Sequence, residues 1–332
     1  MGQEVVYSKA SELIELLGRV QVTAKQIDRV CSFYGEELHK AELKSDGRVT
    51  KGNEPAESPG KIVIPSSYTH LKSLTRPGKD ISQDNLYAMV DGSFLQCRSE
   101  DGSHKDVWKE IKVGRIFFGS HQVENVSKNR NVIRYSDYVV SLGNLKTFLT
   151  KMENRLDDYR GKLIFINDGA SWIWKWIEDA YPKAIQILDY FHAMEYLSVF
   201  AEAYIKDKEE RISWIEAIED LLNTDQIEQV IKQLEEISKP SHKKTSDAKE
   251  KLEALLSYYK THQGRMLYGT YRKCGYLVGS GPIESAHRNV IQKRLKLSGQ
   301  RWTEQGARNI ACLRATMKSM RNGELQKLIK VA

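Results

Sequence analysis

The stretch KLIFINDGASWIWKWIEDAYPKAIQILDYFHAMEYL, Lys162 to Leu197, decides how the chain is read. It opens on Leu163-Ile164-Phe165-Ile166, apolar, β-branched and aromatic enough for a buried strand. The run stops at Asn167-Asp168-Gly169, so a carboxylate stands where strand passes to loop. Trp172, Ile173, Trp176, Ile177 and Ala180 then recur at helical spacing, and Pro182 closes that helix. A second apolar run, Ala184 to Leu188, again delivers an acid, Asp189, and His192 follows at the start of another helix. Strand, acid, helix, strand, acid, helix is a parallel α/β unit. Ligands of such units lie beyond the carboxyl ends of the strands, where both acids fall.

Upstream, Leu86 to Val90 reads as a strand ending at Asp91-Gly92-Ser93. Asp106 to Gly119 alternates and then turns apolar, and Tyr135 to Leu142 is a third candidate strand. Gly143-Asn144 opens a helix carrying Leu145, Phe148, Leu149, Met152 and Leu156. Before these strands, Tyr7 to Leu38 reads as two helices. Ala10, Leu13, Ile14, Leu16 and Leu17 form one stripe, Gly18 breaks it, and Thr23 caps a second helix with Ile27, Val30 and Phe33. Residues 1–43 thus allow a helix-turn-helix remnant or a plain αα-hairpin. Residues 44–84, rich in Gly, Ser, Pro and charge, read as a linker. The expected α/β core occupies 85–200 and 276–332, split by an all-helical insertion over 201–275 whose periodicity breaks at Lys239-Pro240-Ser241.

The 332 residues carry 40% apolar and 29% charged side chains, an ordinary globular balance. No run approaches the roughly 20 apolar residues of a membrane span, and the N-terminus lacks the basic-then-apolar order of a signal peptide. The Met-Gly start lacks the Ser or Thr that myristoylation wants at position 6, where Val6 stands. A cytoplasmic location follows as the expectation. Four cysteines, far apart and without CxxC spacing, read as small buried hydrophobes rather than a disulfide or zinc framework.

A net charge of +7 is concentrated late. From Arg288 the bases Lys293, Arg294, Lys296, Arg301, Arg308, Arg314, Lys318, Arg321, Lys327 and Lys330 face only Glu304 and Glu324. Such a segment suits a polyanion, DNA or RNA, although a solvated basic surface has the same look.

Three acids stand out by position. Asp91 and Asp168 each follow an apolar strand as Asp-Gly, and Glu284 sits in the first turn of a late helix. Ile283, Ala286 and Val290 give that helix a buried stripe and leave Glu284, His287 and Arg288 on a neighbouring face. Carboxylates at strand ends are hard oxygen ligands for Mg²⁺, and two such ions can serve phosphoryl transfer. Taken singly, each has a plainer reading: Asp-Gly as a turn, Glu284 as an acid answering a helix dipole. The order strand acid, strand acid, helix acid fits an RNase-H-like nucleotidyl transferase.

Val90-Asp91-Gly92-Ser93, Asn167-Asp168-Gly169-Ala170-Ser171-Trp172-Ile173, Asp189-Tyr190-Phe191-His192, Gly279-Ser280-Gly281-Pro282-Ile283-Glu284-Ser285 and Gly299-Gln300-Arg301-Trp302-Thr303 together resemble the DDE transposases of bacterial insertion sequences. The nearest likeness is to the Kra-four insertion-sequence family, over roughly residues 85 to 320. The resemblance implies an RNase-H-like mixed five-stranded sheet flanked by helices. It implies Asp91, Asp168 and Glu284 as catalytic metal ligands, holding two Mg²⁺ ions that Mn²⁺ can replace. Asp189 and His192 match an Asp-x-x-His element, implying a DNA-contacting or site-supporting role; alone, His192 would be a packed helix residue, and Asp189 competes with Asp168 as second ligand. Arg288, Lys293, Arg294, Lys296 and Arg301 then bind phosphates beside His287, while Trp302 stacks on a base or packs under the helix.

The implied partners are double-stranded DNA, both transposon ends and target, and a second copy of the chain in a synaptic dimer, in a bacterial nucleoid and away from membrane. The implied reaction is hydrolysis at a transposon end followed by in-line attack of the freed 3′-hydroxyl on target DNA. Such families carry a larger N-terminal DNA-binding region than the roughly 80 residues before the first strand here, as a shortened copy would. Two other readings stay open: an RNase-H-like nuclease without strand transfer, and a domesticated DNA-binding protein without activity.

Overall fold

The computed structural model describes residues 1–44, 84–99, 106–125, 130–157, 159, 161–239, 244–319, 325 and 328. The expected linker lies outside these apart from its two end residues, as do Arg321, Lys327 and Lys330 of the basic segment. The chain divides into two compact units, residues 1–163 with 282–332, and residues 164–281.

The first unit begins with α1 (Tyr7–Gly18) and α2 (Ala24–Lys44). Thr23 and Gln26 cap α2 reciprocally: the Thr23 amide donates to Gln26 Oε1 at 2.8 Å and the Gln26 amide to Thr23 Oγ1 at 3.2 Å. The left-handed residue that ends α1 is Arg19 (φ 53°), one place after the glycine expected to break it. Of the two expected stripes, Ala10 and Ile27 are buried, whereas Leu16, Leu17, Val30 and Phe33 face out. The buried side of α2 instead runs Ile27, Cys31, Leu38, because this helix lies along the last helix of the unit.

Strand β1 (Asn85–Arg98) pairs antiparallel with β2 (Asp106–Phe118). Asp91-Gly92 is therefore not a strand end. The chain runs straight through, Asp91 opposite Val113 and Gly92 opposite Lys112, because Leu95 and Cys97 keep alternating inward while Phe94 stays out. After a short ribbon of β3 (Gln122–Asn125) and β4 (Arg130–Ile133), β5 (Asp137–Leu142) joins the free side of β2. Asn144 then caps α3 (Leu145–Leu156), accepting from the Thr147 amide at 3.0 Å.

The second unit carries β6 (Lys162–Asn167), α4 (Ser171–Ala180) and β7 (Ile185–Leu188), the parallel strand–helix–strand expected from the apolar runs. Asp189 caps α5 (Tyr190–Tyr204). Helices α6 (Lys208–Asn223), α7 (Ile227–Ser238), α8 (Ser246–His262) and α9 (Tyr268–Lys273) follow, with Asp207 and Thr245 as caps. Their cores meet through Leu197, Phe200, Leu222, Val230, Leu234, Leu252, Leu255 and Tyr259. The five-stranded sheet has the order β5-β2-β1-β6-β7, three antiparallel strands and a parallel pair. That mixed sheet with flanking helices is an α/β arrangement, consistent with the RNase-H-like expectation.

The chain closes with α10 (Gly281–Ala286), a π-helical turn from His287 to Gln292, α11 (Lys293–Leu295) and α12 (Glu304–Lys318). The turn's widened ladder is stabilised from outside. Buried Arg314 of α12 donates Nε to the Val290 carbonyl at 2.6 Å and Nη2 to the Asn289 carbonyl. Among the described residues no helix is long and apolar enough to cross a membrane.

Helix α12 is buried along most of its length, and Gly35 of α2 crosses it so closely that a Cβ there would strike the Asn309 backbone. Backbone cannot swing aside as a side-chain tip can. Gly35→Ala should therefore cost about 1–3 kcal/mol, read as a lower denaturation midpoint at unchanged slope.

Candidate active site

In the first unit, Asp91 lies mid-strand on β1 with its carboxylate half-exposed. Oδ1 accepts from the Gly92 amide at 2.7 Å, and Oδ2 lies 3.2 Å from His287 Nε2. His287 Nδ1 is in turn 3.3 Å from Ser93 Oγ, two residues along the same strand. Burial holds the imidazole's basicity below its ordinary value, against the opposing pull of the Asp91 charge. The expectation that His287 shares an open face with Glu284 and Arg288 is corrected here: it is 3% exposed. The reason was present in the spacing, since His287 stands four residues after Ile283 and three before Val290, inside the apolar stripe. Glu284 and Arg288 are exposed.

The bases after the π turn divide in two. Lys293 and Lys296 are exposed, and Arg301 is 3.4 Å from Asp106. Burial lowers the Lys296 basicity while the Asp91 charge pulls it up. Arg294 departs from the expected phosphate-binding role: it is 1% exposed, between the rings of Tyr7 and Trp302, each 4.9 Å from its guanidinium carbon. Its Nε donates to the Gly2 carbonyl at 3.2 Å. Trp302 takes the packing alternative, donating Nε1 to the Leu295 carbonyl at 3.1 Å while its backbone bridges β1 at Cys97.

In the second unit, Asp168 follows β6 and folds back on its own loop, Oδ1 accepting from the Ala170 amide at 3.1 Å. It keeps partial access to solvent. Asp189 has none. Its Oδ1 accepts from the amides of Phe191 at 3.0 Å and Ser280 at 3.2 Å, and its Oδ2 from the Ser280 hydroxyl and His192 Nδ1. Burial alone would weaken this acid, but the bonds from His192 and Ser280 outweigh it and hold the carboxyl below its ordinary value. Ser280 falls within one of the motifs quoted above, but a Gly-Ser-Gly run reads only as a turn and gives no sign of its bonds to Asp189. The bond to Asp189 raises His192 to about 9, helped by the Asp168 charge.

By donor chemistry Asp91, Asp168 and Glu284 suit a hard divalent cation: three carboxylates, each reaching solvent. Asp189 does not, its oxygens being enclosed by four protein donors. Among the described residues no three His, Cys, Asp or Glu side chains are already gathered as a metal centre.

The raised His192 adds stability that is fully present below its ordinary 6.5 and is lost as pH climbs through about 9. The depressed Asp189 works on the acid side, its contribution present above 3.8 and lost as pH falls below that. Wild type should therefore melt above His192→Gln at pH 6.5, with the gap shrinking toward pH 9. Solvent screening of the half-exposed ring keeps that gap modest. Paired thermal melts across this range check it, and a constant gap would count against a charged pair.

No protein with a curated description matches the chain significantly. Among solved structures it is similar to the Drosophila P element transposase strand transfer complex, at a TM-score of 0.37 and 9% identity over 92% of this chain and 94% of that one. The family model that matches covers residues 84–328. Spanning β1 through α12, it makes this chain a member of the uncharacterised protein family UPF0236.

Proposed function

We propose that this chain is a DDE-type DNA transposase that cuts phosphodiester bonds at the ends of an insertion sequence and joins the freed 3′-hydroxyl to target DNA. The observation that supports it most is the docking of His287 on Asp91, which ties the helix of Glu284 to β1. In this reading Asp91, Asp168 and Glu284 hold two Mg²⁺ ions, which supply an activated attacking oxygen and charge stabilisation for the leaving one. His287, braced by Ser93, sets its imidazole against the Asp91 carboxylate. Exposed Arg288, Lys293 and Lys296 neutralise phosphates of double-stranded DNA, and Arg301 does so once released from Asp106. The half-exposed His192 cation lies near enough to Asp168 to feel its charge and adds a further positive group on that side. Two copies of the chain, one for each transposon end, complete the synaptic assembly.

Asp91→Ala, Asp168→Ala and Glu284→Ala should each lower strand transfer by more than the ~10–100-fold typical of outer-shell residues, with DNA affinity largely kept. A supercoiled plasmid, a cognate end and Mg²⁺ provide the assay. Cut but unjoined product from the wild type would mean a nuclease. Intact DNA beside a normal gel shift would mean a binding protein.

A further inference from the structure

Two buried groups grip the chain on either side of Gly281. In the second unit, Asp189 takes four donors, two of them the amide and hydroxyl of Ser280. Around it the Tyr190 amide donates to the Val278 carbonyl at 2.9 Å, and the Phe191 ring covers the Gly279 backbone. The helices between residues 190 and 278 are thus tied off at their two ends by one carboxylate. In the first unit, Arg115 of β2 is 5% exposed and donates Nη1 to the Pro282 carbonyl at 2.6 Å and Nε to Ser136 Oγ at 2.9 Å. Phe117 and Tyr138 flank its guanidinium, with ring centroids 5.6 and 5.5 Å away.

Each unit therefore holds its own side of the crossing, the second at Ser280 and the first at Pro282, and Glu284 comes two residues after Pro282. Beyond Glu284 the same helix is held by Arg314 through the carbonyls of Asn289 and Val290. Burying a carboxylate or a guanidinium is costly unless its bonding capacity is met, and here backbone groups meet much of it. Neither Arg115 nor Asp189 can let go without stranding a charge in the interior.

We propose that Asp189 and Arg115 are positioning residues that set where the Glu284 helix begins, and that the Asp189–His192 element serves this purpose rather than contact with DNA. The proposal rests on Glu284 as a ligand. A DNA contact would contribute counterion release and so steepen the salt dependence of binding. A positioning residue leaves that dependence alone and acts on the rate.

The test uses the full chain with Ser280→Ala, Asp189→Asn and Arg115→Lys, and three readouts. These are single-turnover strand transfer at saturating DNA, DNA affinity as a function of salt, and amide hydrogen exchange over residues 276–281. The expected result is a ~10–100-fold slower transfer with affinity and salt slope within about twofold of wild type, together with faster exchange at Val278 to Ser280 for the two variants in the second unit. Ser280→Ala removes only the hydroxyl donor, so it reports even if Asp189→Asn fails to fold. Weakened binding with a shallower salt slope in Ser280→Ala or Asp189→Asn would overturn the proposal, as would transfer and exchange at wild-type values. A wild-type chain that transfers no strand refutes the transposase reading instead, while the exchange arm still decides whether Asp189 is the anchor.

Discussion

A guanidinium taken out of water must find acceptors, and the first unit is built around three such groups. Arg115, Arg294 and Arg314 are all but fully buried, and each turns donors toward backbone carbonyls. Between them they collect Pro282, Gly2, Gln3, Asn289 and Val290. Arginine remains charged at any ordinary pH, so these contacts do not relax by deprotonation. Much of the geometry around Glu284 and the N-terminal segment follows from them.

The carboxylates divide along the same line between enclosed and open. Asp189 is surrounded by donors and is thereby withdrawn from metal or solvent chemistry, whereas Asp91, Asp168 and Glu284 keep access to water. Position along the chain does not separate these roles, since both Asp168 and Asp189 end parallel strands. What separates them is the Gly279-Ser280 segment, which covers one acid with a hydroxyl and an amide.

The fold was most legible where apolar runs were bounded by acids or capping residues: β6, α4 and β7, the start of α2 at Thr23, and α3 at Asn144. It was least legible where a local signal competed with pairing at a distance. Asp91-Gly92 reads as a turn, yet thirteen cross-strand partners carry β1 through it. The β3–β4 ribbon is short and largely polar, below what alternation can flag. For the site, Asp91, Asp168 and Glu284 could be nominated from order alone, but the partners of each could not. His287 and Arg294 look like surface groups by residue type and prove buried by spacing, and Ser280 and Arg115 matter only through contacts that sequence distance conceals.

The π turn after Ala286 has a consequence for how the acid and the bases are phased. An α-helix advances about 100° per residue, so one residue more or fewer between two side chains swings one around the axis by that amount. Glu284 precedes the turn, and Lys293 and Lys296 follow it. The carbonyls that Arg314 holds lie inside it, which keeps the extra residue from being absorbed into a regular ladder. The compass bearing of the downstream lysines relative to the carboxylate is thus kept by a guanidinium on another helix, not by the segment that carries Glu284 itself.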